Sequence, residues 1–431
     1  MEIEQLYRTF LASTGVCTDT RKIARGNLFF ALKGPNFDAN TFSDQALEQG
    51  ACAVVVDNPD VARPEDDRYI VVPDTLRALQ ELARFHRDQL DIPIFGLTGS
   101  NGKTTTKELL FAVLSRKFRA HATSGNLNNH IGVPLTLLEI GSDTELAIIE
   151  MGANKQGDIQ ELCGIAHPTH GLITNIGKAH LEGMGGLEGV LKTKTELFQH
   201  LRESGGRVFI NTRQEVFTNM IRRFADPVLF PEKDSFCEVS FVSADPFVCF
   251  RVEGSEQVFQ SQLIGKYNFD NIAAAIAVGK FFGISPLDSA EAAAAYRPAN
   301  MRSQLIEKRS NLILLDAYNA NPSSMEAALL AFDRMDGKPN KMVIVGDMLE
   351  LGEHTEAEHR RLGELLAGMS VDKVCLSGTL VQHALAKAPK ALYFPDPFSL
   401  RNWLLDSQLE DYLILIKGSR GMRLETLVDF I

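Results

Sequence analysis

Residues Ile94–Phe95–Gly96–Leu97–Thr98 read as a buried strand, and they run without a break into Gly99–Ser100–Asn101–Gly102–Lys103–Thr104–Thr105–Thr106. The stretch that follows places Leu109, Leu110, Val113 and Leu114 at helical spacing. Strand, glycine loop and helix in that order commit the chain to a βα unit, and so to a sheet with parallel strands. They also prepare a phosphate site. Glycines let backbone N–H groups turn inward, and the helix N-terminus adds the positive end of its dipole. Lys103 can reach the β and γ phosphate oxygens and the Thr104 hydroxyl can ligate magnesium, with Gly99, Ser100, Asn101, Gly102 and Thr105 completing the cradle. The usual pattern has a further glycine five residues before Gly102. Leu97 stands there instead, so the loop is a variant.

The rest of the chain is organised around that unit. The first ninety or so residues mix short apolar strands (NLFFAL, CAVVV, YIVV) with helical stretches, until Asp91–Ile92–Pro93 breaks the pattern. Beyond it, apolar strands alternate with amphipathic helices, and Ile94–Thr98, Leu146–Glu150, Gly171–Asn175 and Arg207–Asn211 are the expected strands. Between Cys237 and Leu263 the period falls to two, which predicts antiparallel hairpins. Asn268–Phe282 is an alanine-rich helix and Tyr296–Arg302 a connector. A third β/α series starts at Asn311 with LILLD, KMVIVGD, KVCLSG, ALYF and YLILIKG. The predicted architecture is three consecutive α/β domains over residues 1–91, 92–305 and 306–431. The middle one has a mostly parallel sheet like that of P-loop ATPases, and the last is Rossmann-like.

Composition removes several function classes. A net charge of −11 and a pI near 5.5 argue against a nucleic-acid partner, because phosphate backbones recruit basic faces. No apolar run reaches the roughly 20 residues needed to span a bilayer. The start, MEIEQLYRTF, is acidic where a secretory signal would be basic. No membrane association and a cytoplasmic location are therefore expected. The six cysteines are scattered without a C-x-x-C pair and read as buried thiols, not as a disulfide framework or zinc site.

Downstream of the loop, Leu146–Ile149 ends in Glu150, and an acid at the carboxyl end of such a strand is where nucleotide-bound magnesium finds its carboxylate. His180 follows the next strand by a few residues and faces the same sheet edge; a plain loop histidine is the competing reading. Lys194, in Thr193–Lys194–Thr195–Glu196, lies on an apparent helix and by composition alone is a solvated lysine.

Taken together, TGSNGKTTT, the acid in IIEMGAN, the histidine in KAHLEG, the lysine in TKTE and the segment GKYNFDN resemble the Mur ligases in order and spacing. EMGANKQGDI, GNLNNHIGVPLT, DAYNANPSSM, VGDMLELGEHTEAEH and KGSRGMR match the branch that adds a dipeptide, and the likeness runs from DTRKIARGNLFFALKG to near the end. The resemblance implies an ATP-dependent amide ligase of cell-wall synthesis. Its substrates would be the small molecules UDP-N-acetylmuramoyl-tripeptide and D-alanyl-D-alanine. ATP phosphorylates the terminal carboxylate of the first, and the amine of the second attacks the acyl phosphate. It also implies two Mg2+ ions and a monomeric enzyme. Another amide ligase of the superfamily, such as a folylpolyglutamate synthetase, and a nucleotide-binding module that has lost ligation are the alternatives. LFFALKG and YNANP count against the folate enzyme.

Residue by residue, the resemblance assigns Lys103, Thr104 and Glu150 to the phosphates and one magnesium, and His180 to the second. Lys194 matches a lysine that reacts with CO2 to become an anionic carbamate ligand. Asn268 and Asn271 match contacts to adenine, while Arg302 and Asp316 match contacts to ribose and phosphate. Asn126, Asn128 and Asn129 match contacts to the UDP-peptide, Thr20, Arg21 and Lys33 a clamp on its diphosphate, and Tyr318, Asn319 and Asn321 the dipeptide site. The chain departs from the family in having Thr195 where a glycine is usual and Ala39–Asn40 where Gly-His is usual. Because these assignments spread over three domains, closure about connectors near Asp91 and Arg302 is expected, with Asp316 remote from the phosphate loop before ligands bind.

Overall fold

A computed structural model describes residues 2–431. Near the N-terminus, short strands Val16–Cys17, Leu28–Phe30, Ala53–Val56 and Tyr69–Val71 form a four-stranded parallel sheet. Helix Thr75–Asp88 follows it, capped by the Asp74 carboxylate on the Arg77 N–H. The apolar stripe of this helix, Leu79, Leu82 and Ala83, joins one continuous apolar cluster with Leu137, Ile149 and Leu162 of the central unit. The buried Arg87 guanidinium adds bonds to the carbonyls of Ala166 and His167. The break at Asp91–Pro93 is therefore a break in the chain pattern and not in the core.

The central sheet is six-stranded and parallel. Its order is Val228–Phe230, Arg207–Asn211, His170–Ile173, Ile94–Thr98, Leu146–Glu150, Ala120–Ala122. Ile94–Thr98 is the point where strand order reverses, since the next two strands lie on one side of it and the later ones on the other. In such sheets ligands bind outside the carboxyl ends at that reversal, which is where Gly99–Thr106 begins. Three antiparallel strands, Val239–Ala244, Phe247–Val252 and Phe259–Ile264, form the expected hairpins. Helix Asn268–Phe281 runs behind the phosphate-loop helix Lys103–Leu114.

The third sheet has the order Gln304–Lys308, Asn311–Asp316, Tyr412–Lys417, Asn340–Gly346, Lys373–Ser377, Leu392–Phe394. All its pairings are parallel except the first. Residue 305, the expected end of the second unit, falls within Gln304–Lys308, which pairs with Asn311–Asp316. QLIEK carries no legible period because it is a half-exposed edge strand with too few alternations. Among the described residues no helix is long and apolar enough to cross a membrane.

Candidate functional site

A cavity of about 1120 Å3 opens over the phosphate loop, between the second and third units. Ser100, Asn101, Gly102, Lys103, Thr104 and Thr105 form one wall. Gly102 sits at φ +77° and starts the helix, a left-handed conformation that glycine adopts without penalty. Gly99, at φ +147°, passes so close to Thr174 that an added Cβ would lie 1.9 Å from its hydroxyl. Lys103 folds back on the loop, its Nζ donating to the Gly99 carbonyl at 2.7 Å. Burial pushes its pKa down from the ordinary lysine value, opposed by the Glu150 charge.

Glu150 is 1% exposed. Its Oε1 accepts from Asn128 Nδ2 at 2.8 Å, while Oε2 is buried with no partner. A buried carboxylate oxygen without a donor is costly unless a cation meets it, and the Thr104 hydroxyl lines the same cavity. Thr104 and Glu150 therefore fit a magnesium ion. No group of three His, Cys, Asp or Glu side chains among the described residues forms a ready metal cluster, so His180 and Glu150 are not preassembled as a pair within one. His180 lines the cavity, but its Nδ1 lies 2.5 Å from Glu350 Oε2 of the third unit, without hydrogen-bond alignment. That contact holds the Glu350 carboxyl below its usual range.

Lys194 is not a solvated lysine. It lies inside helix Leu187–Ser204 and is 1% exposed. Desolvation, followed by the charge of Lys103, lowers its pKa to about 7. Thr195 continues this helix and bonds its hydroxyl to the Leu191 carbonyl, so the backbone has no need of glycine's freedom there. The Asn40 replacement is likewise built in. Its amide donates to Asp38 and Asp57 and accepts from the N–H groups of Asp57 and Asn58, which makes it a buried brace.

From the third unit, Asp316, Tyr318, Asn319 and Asn321 enter the cavity. Arg302 stacks on the Tyr318 ring, 3.9 Å from its centroid. Asn321 Nδ2 donates to Asn101 Oδ1 at 2.7 Å and the Lys178 ammonium to Glu358 at 2.5 Å. The expected open arrangement, with Asp316 remote, is thus not the one found: the third unit is closed on the phosphate loop. Asn268 and Asn271 line the cavity, yet their amides are engaged with Ile264, Thr106 and each other, bracing the loop from behind. Asn126, Asn128 and Asn129 line it too, with Asn129 accepting from Ile131 and Gly132 at the start of a helix. Thr20, Arg21 and Lys33 are not brought there. Arg21 is exposed and paired with Asp19, and Lys33 pairs with Asp57, because nearby carboxylates satisfy both cations locally.

Three family models cover most of the chain. The Mur ligase family catalytic domain matches residues 13–87, the Mur ligase middle domain 97–279, and the Mur ligase glutamate ligase domain 301–420. A UDP-N-acetylmuramoyl-tripeptide–D-alanyl-D-alanine ligase of Bacillus subtilis is 37% identical over 96% of this chain and 92% of its own. The chain belongs to the Mur ligase family. The Escherichia coli protein of the same description is also 37% identical over 96% of this chain and 92% of its own. Among solved structures, the MurF of Acinetobacter baumannii superposes with a TM-score of 0.87 at 30% identity, over 99% of this chain and 97% of that one. The MurF ligase of Thermotoga maritima, solved with ADP, gives 0.83 at 28%, over 98% and 97%.

This Mur ligase places three further groups at or beside the cavity. Lys417, 2% exposed, holds Asp316 Oδ2 at 2.5 Å. Ser303 donates its N–H to Asp316 Oδ1, and Glu350 faces His180. Lys417 ends an apolar strand just as Glu150 does, so the same signal was available for it. Nothing local marks Glu350, whose partner is 170 residues away in the chain.

Proposed function

We propose that this Mur ligase joins D-alanyl-D-alanine to UDP-N-acetylmuramoyl-tripeptide with hydrolysis of ATP to ADP and phosphate, a step of peptidoglycan precursor synthesis and hence of cell shape and division. The observation that carries it is the cavity itself, which puts a phosphate loop with Lys103 on one wall and Asp316 and Asn321 of another unit on the other. The nucleotide accounts for Asp316 but not for Tyr318, Asn319 and Asn321 beside it, which a second substrate would use. The B. subtilis and E. coli relatives bear the ligation of these two substrates in their names and match over 96% of this chain and 92% of their own.

A carboxylate is a poor electrophile, and phosphorylation gives it a leaving group. Lys103 and the N–H groups of Gly102–Thr104 bind and orient the γ-phosphoryl and offset the charge that grows on it. The peptide carboxylate attacks, ADP leaves, and the amine of the dipeptide then attacks the acyl carbon, losing a proton as phosphate departs. Closure of the third unit keeps water from the acyl phosphate. Thr104 and Glu150 would hold one magnesium ion and His180 would help hold a second, and these ions would supply charge neutralisation on the phosphates. Lys194 fits the carbamate role: its amine is buried, and lowering its pKa makes the neutral form that CO2 requires. Asn268, Asn271, Arg302 and Asp316 would hold the nucleoside. Asn126, Asn128 and Asn129 would hold the UDP-peptide, whose nucleotide end belongs on the first unit at Thr20, Arg21 and Lys33. Tyr318, Asn319 and Asn321 would hold the dipeptide. The units divide near residues 91 and 303, and the enzyme works as a cytoplasmic monomer.

The test is phosphate release from ATP with each substrate omitted in turn. Steady turnover is expected only with both the UDP-tripeptide and the dipeptide present. Equal turnover without them would mean a switch ATPase, and turnover with another amino acid a different branch of the family.

A further inference from the structure

Asp316 and Lys417 end adjacent parallel strands and are paired in register, so the two side chains emerge together at the carboxyl edge of the third sheet. The Lys417 ammonium is 2% exposed and bonds Asp316 Oδ2 at 2.5 Å. A buried ion pair is weak support for stability alone, since apolar residues of similar size often serve as well or better. This one also lines the reaction cavity. An ammonium has three donors; a second one here reaches the backbone carbonyl of Asn319, at 3.4 Å. The other oxygen of Asp316 accepts from the Ser303 N–H at 3.1 Å, next to Arg302, whose guanidinium lies on the Tyr318 ring. Lys417 therefore sits where the Asp316 side chain and the 318–321 loop can be held by one group.

We propose that Lys417 is a positioning residue that orients the Asp316 carboxylate and the Asn319 backbone together, so that the third unit presents its nucleotide contact and its amine-substrate loop as one piece. This rests on the function proposed above. The lysine does not touch the reacting atoms; it acts through Asp316 and Asn319. Its loss leaves the Asp316 carboxylate with the Ser303 N–H as its remaining partner on the cavity wall and releases the loop carbonyl. Substrates then bind poorly to an otherwise intact phosphate loop.

The experiment uses the full chain and compares wild type, Lys417→Met and Lys417→Arg in steady-state kinetics, with ADP binding followed by calorimetry. Lys417→Met should raise KM for both ATP and D-alanyl-D-alanine by about tenfold or more, the equivalent of one charge-assisted bond, with kcat changed much less. Lys417→Arg should recover part of both. The ADP titration should weaken in parallel, whatever the amine substrate proves to be. Should Lys417→Met fail to fold, Asp316→Asn combined with Lys417→Met removes the stranded charge. Its dipeptide KM must then exceed that of Asp316→Asn alone. Unchanged KM values and ADP affinity, a fall in kcat alone, or equality of the double variant with Asp316→Asn would overturn the proposal. Wild-type protein that needs no dipeptide for turnover would instead refute the proposed reaction, and ADP binding would still decide whether Lys417 orients Asp316.

Discussion

Asn321 Nδ2 donates to Asn101 Oδ1 at 2.7 Å, joining the third unit to the phosphate loop across 220 residues of chain. The oxygen of the same amide accepts from the Ser324 N–H at 2.9 Å and caps helix Pro322–Asp333. One side chain thus starts a helix with its oxygen and closes the site with its nitrogen.

The two functions separate by substitution. Asn321→Asp keeps the cap acceptor, worth about 1 kcal/mol, but replaces the donor to Asn101 with a repelling oxygen. It should melt near the wild-type temperature, raise KM for ATP and give a less compact particle in solution scattering. Asn321→Ala should show the same opening and a lower Tm. Equal melting temperatures for the two variants would remove the capping argument, and unchanged scattering in both would remove the latch.

Lys103→Ala should abolish ligation and leave the fold intact by circular dichroism. Loss of a preorganised charge on a transferring phosphoryl costs on the order of 100- to 1000-fold in kcat. A folded Lys103→Ala protein with near-normal turnover would sink the phosphate-loop assignment.

Gly99→Ala should lower both stability and nucleotide affinity. Its Cβ would stand 1.9 Å from Thr174 Oγ1, and that hydroxyl is already bonded to the Asn101 carbonyl at 2.6 Å. Relief requires moving the loop that holds the phosphates. Wild-type Tm and ADP affinity in Gly99→Ala would show that the loop is softer than its packing implies.

Lys194 makes a prediction about pH. Its folded pKa of about 7 lies below the ordinary 10.5. Between those values the unfolded chain holds the proton and the folded chain does not, so this residue makes stability rise with pH across that window. Below about 7 the cost of burying the charge is fully present. Lys194→Met should accordingly be more stable than wild type at pH 6, by a margin that shrinks to nothing above the ordinary lysine pKa. The same titration frees the amine for CO2, so a carbamate signal from labelled CO2 should grow in as pH passes through 7 and be absent from Lys194→Met. A pH-independent stability difference, or a carbamate signal that survives the substitution, would refute this account of Lys194.

The sequence by itself determined what depends on neighbours in the chain. Strand Ile94–Thr98, its glycine loop and its helix follow from period and from glycine at Gly99 and Gly102, and the order of β/α units follows from the same local patterns. Glu150 was legible for that reason, standing at a strand end beside the loop. What only the tertiary structure decided are pairings between distant segments. Lys194 is buried because helix Leu187–Ser204 turns that face inward beside Lys103, a fact absent from TKTE. His180 faces Glu350 because a loop of the central unit meets one of the third, and Asp316 is held by Lys417 because two strands about a hundred residues apart end side by side in one sheet. Arg21 and Lys33 of the first unit pair with Asp19 and Asp57, partners that their own short motifs do not both reveal. Charge and type are written locally, but burial and partner are set by the packing of three sheets, and these decide what each charged side chain can do.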